Sequence, residues 1–207
     1  MNAGRKKLIG IFDDYYMEEF EIKFLEVNVP ELEEKLKAIG AEKVGEYNYR
    51  RMVFDYPDFR LDKNHGWIRV RTDGSETTLT YKERVGVKSH DAGIPDEGMK
   101  EVEVLVNSYE NVCAILKSIG LVIKQEAMNR RIRYKKDDVE FDIDFWAQLP
   151  PYVEIESVSM QKVKNAAREL GFKPEDGLVC SVKQVYKKYG INLDDYSFIS
   201  PEKMAKK

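Results

Sequence analysis

Hydrophobic and polar positions alternate with a period of two along much of this 207-residue chain, and the polar positions in those stretches are mostly charged. Glu19-Phe20-Glu21-Ile22-Lys23 sets the pattern, which returns in Glu101-Val102-Glu103-Val104 and in Val153-Glu154-Ile155-Glu156. Successive side chains of a strand point to opposite faces, so each run carries its charges on one face and its apolar residues on the other. Arg69 and Arg71 oppose Ile68 and Val70 in the same way, and Lys82 and Arg84 oppose Leu79 and Tyr81. Arg131 and Arg133 oppose Ile132 and Tyr134, while Asp142 and Asp144 oppose Phe141, Ile143 and Phe145.

Elsewhere the period lengthens to that of a helix. Leu32, Leu36 and Ile39 form one stripe, as do Val112, Ile115, Leu116 and Ile119, and then Val163, Ala167 and Leu170. Asn28, Ser108 and Ser159 can accept hydrogen bonds from the free amides of a first turn, and Pro30 suits that turn. Gly40, Gly120 and Gly171 can take the left-handed conformation just past each end. The helices predicted are 30–39, 108–119 and 159–170. Each follows an acidic strand, and the first two precede a strand with adjacent arginines, Arg50-Arg51 and Arg130-Arg131, so the chain holds a weak internal repeat with a third, partial copy.

Gly66 to Thr72 and Thr77 to Arg84 read as a hairpin turning at Asp73-Gly74, and Lys136-Asp137-Asp138 reads as a second turn. The total expected is roughly eight strands and three helices. Residues 17–190 form one domain, 1–16 an appendage without clear period and 191–207 a tail. The glycine-rich connection between Val85 and Met99 reads equally as a lid or as an ordinary loop.

Composition narrows the class. A chain 43% hydrophobic and 34% charged can build a sizeable core. A net charge of −3 gives no bulk attraction to nucleic acid or acidic membranes. No apolar run approaches the ~20 residues of a membrane span, so a cytoplasmic protein is expected, with Cys113 and Cys180 as reduced thiols. His65 and His90 have no partners at metal-ligand spacing and read as surface residues. There is no P-loop motif.

The charged strand faces require more. A solvated outer face explains any one of them. Charges of one sign at i and i+2 repel, however, and the helices need the apolar strand faces as their packing surface. If the strands close into a barrel with helices outside, acids and bases line its lumen, which at about eight strands holds side chains or one small ligand. Such a lining suits a polyphosphate with a divalent metal ion, guanidinium and ammonium groups taking the phosphate oxygens and carboxylates the ion. Alternation alone leaves a sandwich open.

Glu19-x-Glu21-x-Lys23, Arg69-x-Arg71, Lys82, Arg131 with Arg133, Asp142 with Asp144, Glu154-x-Glu156 and Lys183 resemble, in that order, the pattern of CYTH proteins, the triphosphate tunnel metalloenzymes. The resemblance covers residues 17 to about 190. It implies an α+β fold with a closed antiparallel eight-stranded tunnel and helices outside. It also implies an enzyme dependent on Mg²⁺ or Mn²⁺: a triphosphatase on inorganic, nucleoside or organic triphosphate, or a class IV adenylate cyclase making cyclic AMP and pyrophosphate. A non-catalytic polyphosphate-binding module is the reading from another class.

Carried over by position, Glu19, Glu21, Asp142, Asp144, Glu154 and Glu156 become metal ligands. Lys23, Arg69, Arg71, Lys82, Arg131, Arg133 and Lys183 become substrate ligands, with Arg84 and Lys124 as further contacts. Glu19, Glu21, Lys82, Glu154 and Glu156 are the catalytic set. Glu101 and Glu103 match less specifically and serve equally as partners of arginines. Of Arg50 and Arg51 only one can face inward, and a solvated or salt-bridged role is expected of both. The aromatic stretch Tyr47 to Phe59 reads as packing or tunnel mouth, Trp67 and Trp146 as core, and Lys183, Lys187 and Lys188 as a basic helical face. The partner expected is a triphosphate or nucleotide, with neither nucleic acid nor membrane, and a homodimer is compatible with it.

Overall fold

The computed structural model describes residues 17–85 and 98–207. The expected appendage 1–16, His90 and nearly all of the connection between Val85 and Met99 lie outside the described residues. Ten strands are described: β1 Met17–Phe24, β2 Glu42–Asp55, β3 Gly66–Thr72, β4 Thr77–Val85, β5 Gly98–Val106, β6 Val122–Lys136, β7 Val139–Phe145, β8 Tyr152–Ser157, β9 Tyr196–Ser200 and β10 Lys203–Lys206. The helices are α1 Val29–Ala38, α2 Arg60–Lys63, α3 Tyr109–Ser118, α4 Met160–Glu169 and α5 Val182–Lys188.

Eight strands close a ring in the order β1-β5-β4-β3-β2-β6-β7-β8, and every neighbouring pair is antiparallel. The long strands β2 and β6 pair from Glu42↔Lys135 to Asp55↔Val122, with irregularities between Lys43 and Gly45 and between Val53 and Phe54. Such bulges add local twist and bend a sheet toward closure. The sandwich left open by alternation is thereby excluded.

The apolar strand faces turn outward, where helices cover them. Ile22, Phe24, Ile132, Tyr134, Phe141, Ile143, Val153 and Ile155 pack against Leu32 and Leu36 of α1 and Val163 and Ala167 of α4. Met52, Phe54 and Val70 pack against Tyr109, Cys113 and Leu116 of α3. Each fully buried leucine or phenylalanine contributes about 1.5–3 kcal/mol. That gain exists only if the other strand face looks into the barrel.

Two of the three predicted caps form as expected. The Asn28 side chain accepts from the Glu31 amide at 3.3 Å and Ser108 from the Asn111 amide at 3.2 Å, whereas Ser159 makes no such bond. The hairpin turn between β3 and β4 is held by Asp73, whose Oδ1 accepts from the Ser75 and Glu76 amides, both at 2.8 Å. Gly74 there has φ +95°, a conformation that favours glycine.

Residues 191–207, expected as a tail, carry the hairpin β9–β10 instead, and β9 adds to the sheet parallel to β6. This segment and α5 close one end of the barrel. Trp146, Ala147 and Tyr152 form a cluster there with Cys180, Val185, Tyr186, Leu193 and Ile199. The Tyr186 hydroxyl donates to the Ala147 carbonyl at 2.8 Å, and its ring meets Trp146 edge-on at 6.4 Å. A capping box of Ser181 and Gln184 starts α5. The link before it crosses β1 closely, with Lys23 and Leu178 exchanging backbone hydrogen bonds of 2.9 Å. A side-chain carbon at Gly177 would run into Ile22, at 2.2 Å.

Candidate functional site

Strand order sorts the lumen by charge. β7, β8, β1 and β5 are consecutive in the ring and carry Asp142 and Asp144, Glu154 and Glu156, Glu19 and Glu21, and Glu101 and Glu103. β4, β3, β2 and β6 complete the ring with Lys82 and Arg84, Arg69 and Arg71, Arg51, and Arg131 and Arg133. One half of the wall is therefore acidic and the other basic. Lys23 is the exception, a buried cation within the acidic half.

At the two seams the opposite charges neutralise each other. Where β6 meets β7, Arg131 bonds Asp144 at 2.9 and 2.6 Å and also pairs with Asp142, and Arg133 bonds Asp142 through two contacts of 2.7 Å. Where β4 meets β5, Lys82 pairs with Glu101, and it reaches Glu19 at 3.1 Å. Arg69 lies 4.0 Å from Glu101 and 3.6 Å from Glu103. Of the two roles weighed for Glu101 and Glu103, partners of the basic strands is the one these contacts describe.

The middle of the acidic half is different. Carboxylate oxygens of Glu21, Glu154 and Glu156 all lie within 4.8 Å of one another. Burial and then Glu154 raise the Glu21 carboxyl to about 7. Burial raises Glu156 as well, and Glu154 adds to it. Burial also works against the Glu154 carboxylate, yet Lys23 at 3.4 Å, a hydrogen bond from Glu21 and nearby Arg131 hold it well below the usual range. Beside them, burial and a hydrogen bond with Glu101 push Glu19 up to about 9. Lys23 pairs with Glu21 at 2.6 Å as well as with Glu154, so the carboxyls left raised beside the ionised Glu154 are those of Glu21 and Glu156, and three hard-oxygen donors crowded in this way fit a divalent cation such as Mg²⁺ or Mn²⁺. Asp142 and Asp144 are taken by arginines, so the structure places neither in this cluster.

The middle of the basic half shows the opposite imbalance. Burial, then Arg69, Arg71 and Arg131, pull the Arg51 guanidinium well below its usual value. Arg71 is drawn down to about 10 by burial, Arg69 and Arg131. Arg51 hydrogen-bonds Asn129 and lies over the rings of Trp146 at 4.8 Å and Tyr49 at 5.7 Å. The Nε atoms of Arg51 and Arg69 are buried without a hydrogen-bond partner. Such a group of cations lowers its energy by taking an anion.

A cavity of about 810 Å³ runs from Glu21, Glu154, Arg51 and Arg69 to the end walled by α5, and Glu19, Glu156 and Arg71 lie outside its lining. Glu21, Lys23, Arg51, Arg69, Lys82, Arg84, Arg131, Asp144 and Glu154 line its inner part. Arg84 reaches Glu21 at 3.6 Å. Lys124 and Lys183 lie on the outer wall, Lys124 paired with Asp62 and Lys183 with Asp194 at 2.6 Å. Arg133 lies at the seam, bound by Asp142 and by Glu140 at 2.8 Å, outside the cavity lining. Trp146 belongs to the core as expected and also borders the cavity, whereas Trp67, expected as core, lines the cavity with His65.

Arg51 is the residue that sequence reasoning undervalued. Its neighbour Arg50 faces outward to Glu126 at 3.0 Å and over the Tyr109 ring. Alternation along Tyr49-Arg50-Arg51-Met52-Val53-Phe54 carried the signal: Met52 and Phe54 belong to the outer core, so Arg50 shares their face and Arg51 does not. The seam pairing was legible too. The turn at Asp137-Asp138 sets a register in which Arg131 faces Asp144 and Arg133 faces Asp142.

The CYTH domain family matches residues 17–182, and the chain belongs to it. No curated protein matches the chain. Among solved structures, the PH1012 protein of Pyrococcus horikoshii is similar at 24% identity and a TM-score of 0.63, covering 77% of this chain and 93% of that one. A Vibrio parahaemolyticus protein provisionally described as an adenylate cyclase reaches a TM-score of 0.67 at 13% identity, over 83% of this chain and 98% of that one. HpAC1 from Hippeastrum, described as having a dominant triphosphatase activity, reaches 0.56 at 16% identity, over 84% and 96%. Likeness at these identities carries the fold. No helix among the described residues is long and apolar enough to cross a membrane.

Proposed function

We propose that this chain is a metal-dependent phosphohydrolase acting on a triphosphate-containing substrate bound inside the barrel. The observation that carries the reading is the paired imbalance. The seams of the lumen are neutralised, while Glu21, Glu154 and Glu156 crowd within 4.8 Å of one another on β1 and β8 and, on β2 across the ring, Arg51 is buried among the like charges of Arg69, Arg71 and Arg131. A phosphate chain with a cation on one flank satisfies both groups at once.

Arg51, Arg69 and Arg71 take the non-bridging oxygens, and Lys82 and Arg84 hold the chain from the β4 side. Glu21, Glu154 and Glu156 hold the divalent ion, which when bound supplies charge neutralisation at the phosphate oxygens. A water oxygen forms a bond to the terminal phosphorus as the bridging P–O bond breaks, the remaining diphosphate portion leaves with the bridging oxygen and its electron pair, and one proton of the water passes to a carboxylate of the acidic wall. Barrel and helices keep the surrounding dielectric low, which strengthens each contact with the developing charge.

The test is product analysis. Purified protein is incubated with tripolyphosphate, ATP and thiamine triphosphate, each with Mg²⁺ or Mn²⁺. Orthophosphate release is the expected result. Cyclic AMP with pyrophosphate would replace this reading by that of a class IV adenylate cyclase, and tight binding without product by that of a binding module.

A further inference from the structure

The large cavity occupies only part of the bore. Along each strand, inward-facing residues two places apart lie at successive depths, and the cavity stops between one depth and the next. Arg51, Arg69 and Lys82 line it, whereas Tyr49, Arg71 and Thr80, the next inward positions of β2, β3 and β4, do not. On the acidic side Glu21, Asp144 and Glu154 of the candidate site stand in the same relation to Glu19, Asp142 and Glu156, of which the first and last pairs bring the carboxylate cluster to the bottom of the cavity.

The deeper layer is filled with side chains. Tyr49, Thr80 and Asp142 are buried. The Thr80 hydroxyl donates to Glu103 at 2.6 Å, and Asp142 is held by Arg133. The Tyr49 ring has the Arg71 guanidinium 4.5 Å from its centroid and stacks with the Tyr47 ring at 5.5 Å, the two planes 8° apart. Stacks of this kind are stiff, because each ring fixes its neighbour. At the α5 end, by contrast, the cavity lining includes Lys187, Asp194 and Lys207, all exposed, so solvent enters there. Just above the filled layer, the Nε atoms of Arg51 and Arg69 are buried without a hydrogen-bond partner.

We infer that Tyr49, backed by Arg71 and Tyr47, is the floor of a blind pocket and fixes how far a phosphate chain can enter, so that the protein takes such a chain only by a free end. The inference rests on the proposed phosphate-binding role of the lumen. A chain entering from the α5 end brings its last phosphate to Arg51 and Arg69 above the Tyr49 ring, and the remainder extends back toward solvent. The terminal phosphorus is then the one presented to Glu21, Glu154 and Glu156. Reaction at an inner phosphorus requires at least one further phosphate below the cluster, in the space that Tyr49, Thr80 and Asp142 fill. Tyr49 thus determines specificity by its volume, and its hydroxyl has no part in the effect.

The test is product analysis of the full chain in a single turnover with Mg²⁺. The substrates are linear tetrapolyphosphate, adenosine tetraphosphate, and a tetraphosphate capped by adenosine at both ends. Wild-type protein is expected to convert tetrapolyphosphate into orthophosphate and tripolyphosphate and adenosine tetraphosphate into orthophosphate and ATP, and to cleave the doubly capped chain at least tenfold more slowly than either. Tyr49→Ala removes a phenol ring, a group larger than one phosphate, and lets the chain sink by one unit. Water then adds to the second phosphorus, and pyrophosphate is expected in the first turnover at a share at least tenfold above wild type. Tyr49→Phe keeps the ring and is expected to keep the wild-type products. Circular dichroism reports folding, and Tyr49→Leu serves the same comparison should Tyr49→Ala not fold. Pyrophosphate as the main first product of wild-type protein would overturn the inference, as would cleavage of the doubly capped chain within tenfold of the open ones. Wild-type products from the folded Tyr49 truncation would overturn it too. Absence of turnover with every open-ended chain would instead remove the reading on which it rests.

Discussion

Arg131 grips Asp144 with a two-pronged contact, Nε to Oδ1 at 2.9 Å and Nη2 to Oδ2 at 2.6 Å. Both side chains are almost wholly buried. Two parallel charge-assisted bonds fix both orientation and charge, so Asp144 acts as a counter-ion in the wall. Asp142 does the same for Arg133.

Asp144→Asn should accordingly act on the fold. Removing one partner of a buried pair leaves an uncompensated charge and costs about 3–5 kcal/mol, with the lower end expected because Asp142 and Glu154 remain near Arg131. Chemical denaturation would show a lowered midpoint, whereas calorimetric Mn²⁺ binding by the folded fraction should stay near wild type.

Glu154→Gln should lower stability as well, because Lys23 at 3.4 Å and Arg131 at 3.6 Å lose a partner, but its main effect should be on turnover. The shape is kept and a carboxylate is lost from the cluster with Glu21 and Glu156, so turnover with Mg²⁺ or Mn²⁺ should fall by about two powers of ten. Wild-type-like turnover in purified, folded Glu154→Gln protein would falsify the role given to this acid.

Arg51→Met should move stability and binding in opposite directions. Arg51 is buried among like charges, so an apolar side chain of similar length should leave the ligand-free protein as stable as wild type or more so. Tripolyphosphate affinity should drop by about 1.5–3 kcal/mol, the worth of hydrogen bonds to a charged group. Parallel melting curves and titrations would check both signs.

The acid cluster also predicts a pH dependence. Glu19 and Glu21 have folded-state values of about 9 and about 7 against an ordinary 4.5, so the folded state binds their protons more tightly than the unfolded chain does. The associated stability is fully present below the unfolded value and is lost as pH rises through about 7 and then about 9. In EDTA the melting temperature should fall steadily from pH 5 to pH 9. Glu19→Gln, which mimics the protonated acid, should flatten the upper part of that slope.

Much of this arrangement was legible because it is local. The helix stripes, the glycines past their ends and the single-sign strand faces are properties of neighbours two to four residues apart. The outward turn of Met52 and Phe54 implied the inward turn of Arg51 by the same parity. Lys183 shows the limit of such reasoning. Its side chain lies on the cavity wall, where the resemblance rather than the helix pattern put it, but it is tied to Asp194, which no periodicity relates to it.

By itself, then, the order of residues determined which faces were charged, where helices began and ended, and that the strands had apolar surface to bury outward. It did not determine which charged face met which. That depended on the ring order of the strands, which brings β1 beside β5 and β8, far from both in the chain, and so gathers four acidic strands opposite four basic ones. Coulomb interactions act through space and side-chain alternation acts along the backbone. Only closure of the barrel could decide that the seams are neutral, that Glu21, Glu154 and Glu156 crowd together and that Arg51 is buried among other arginines.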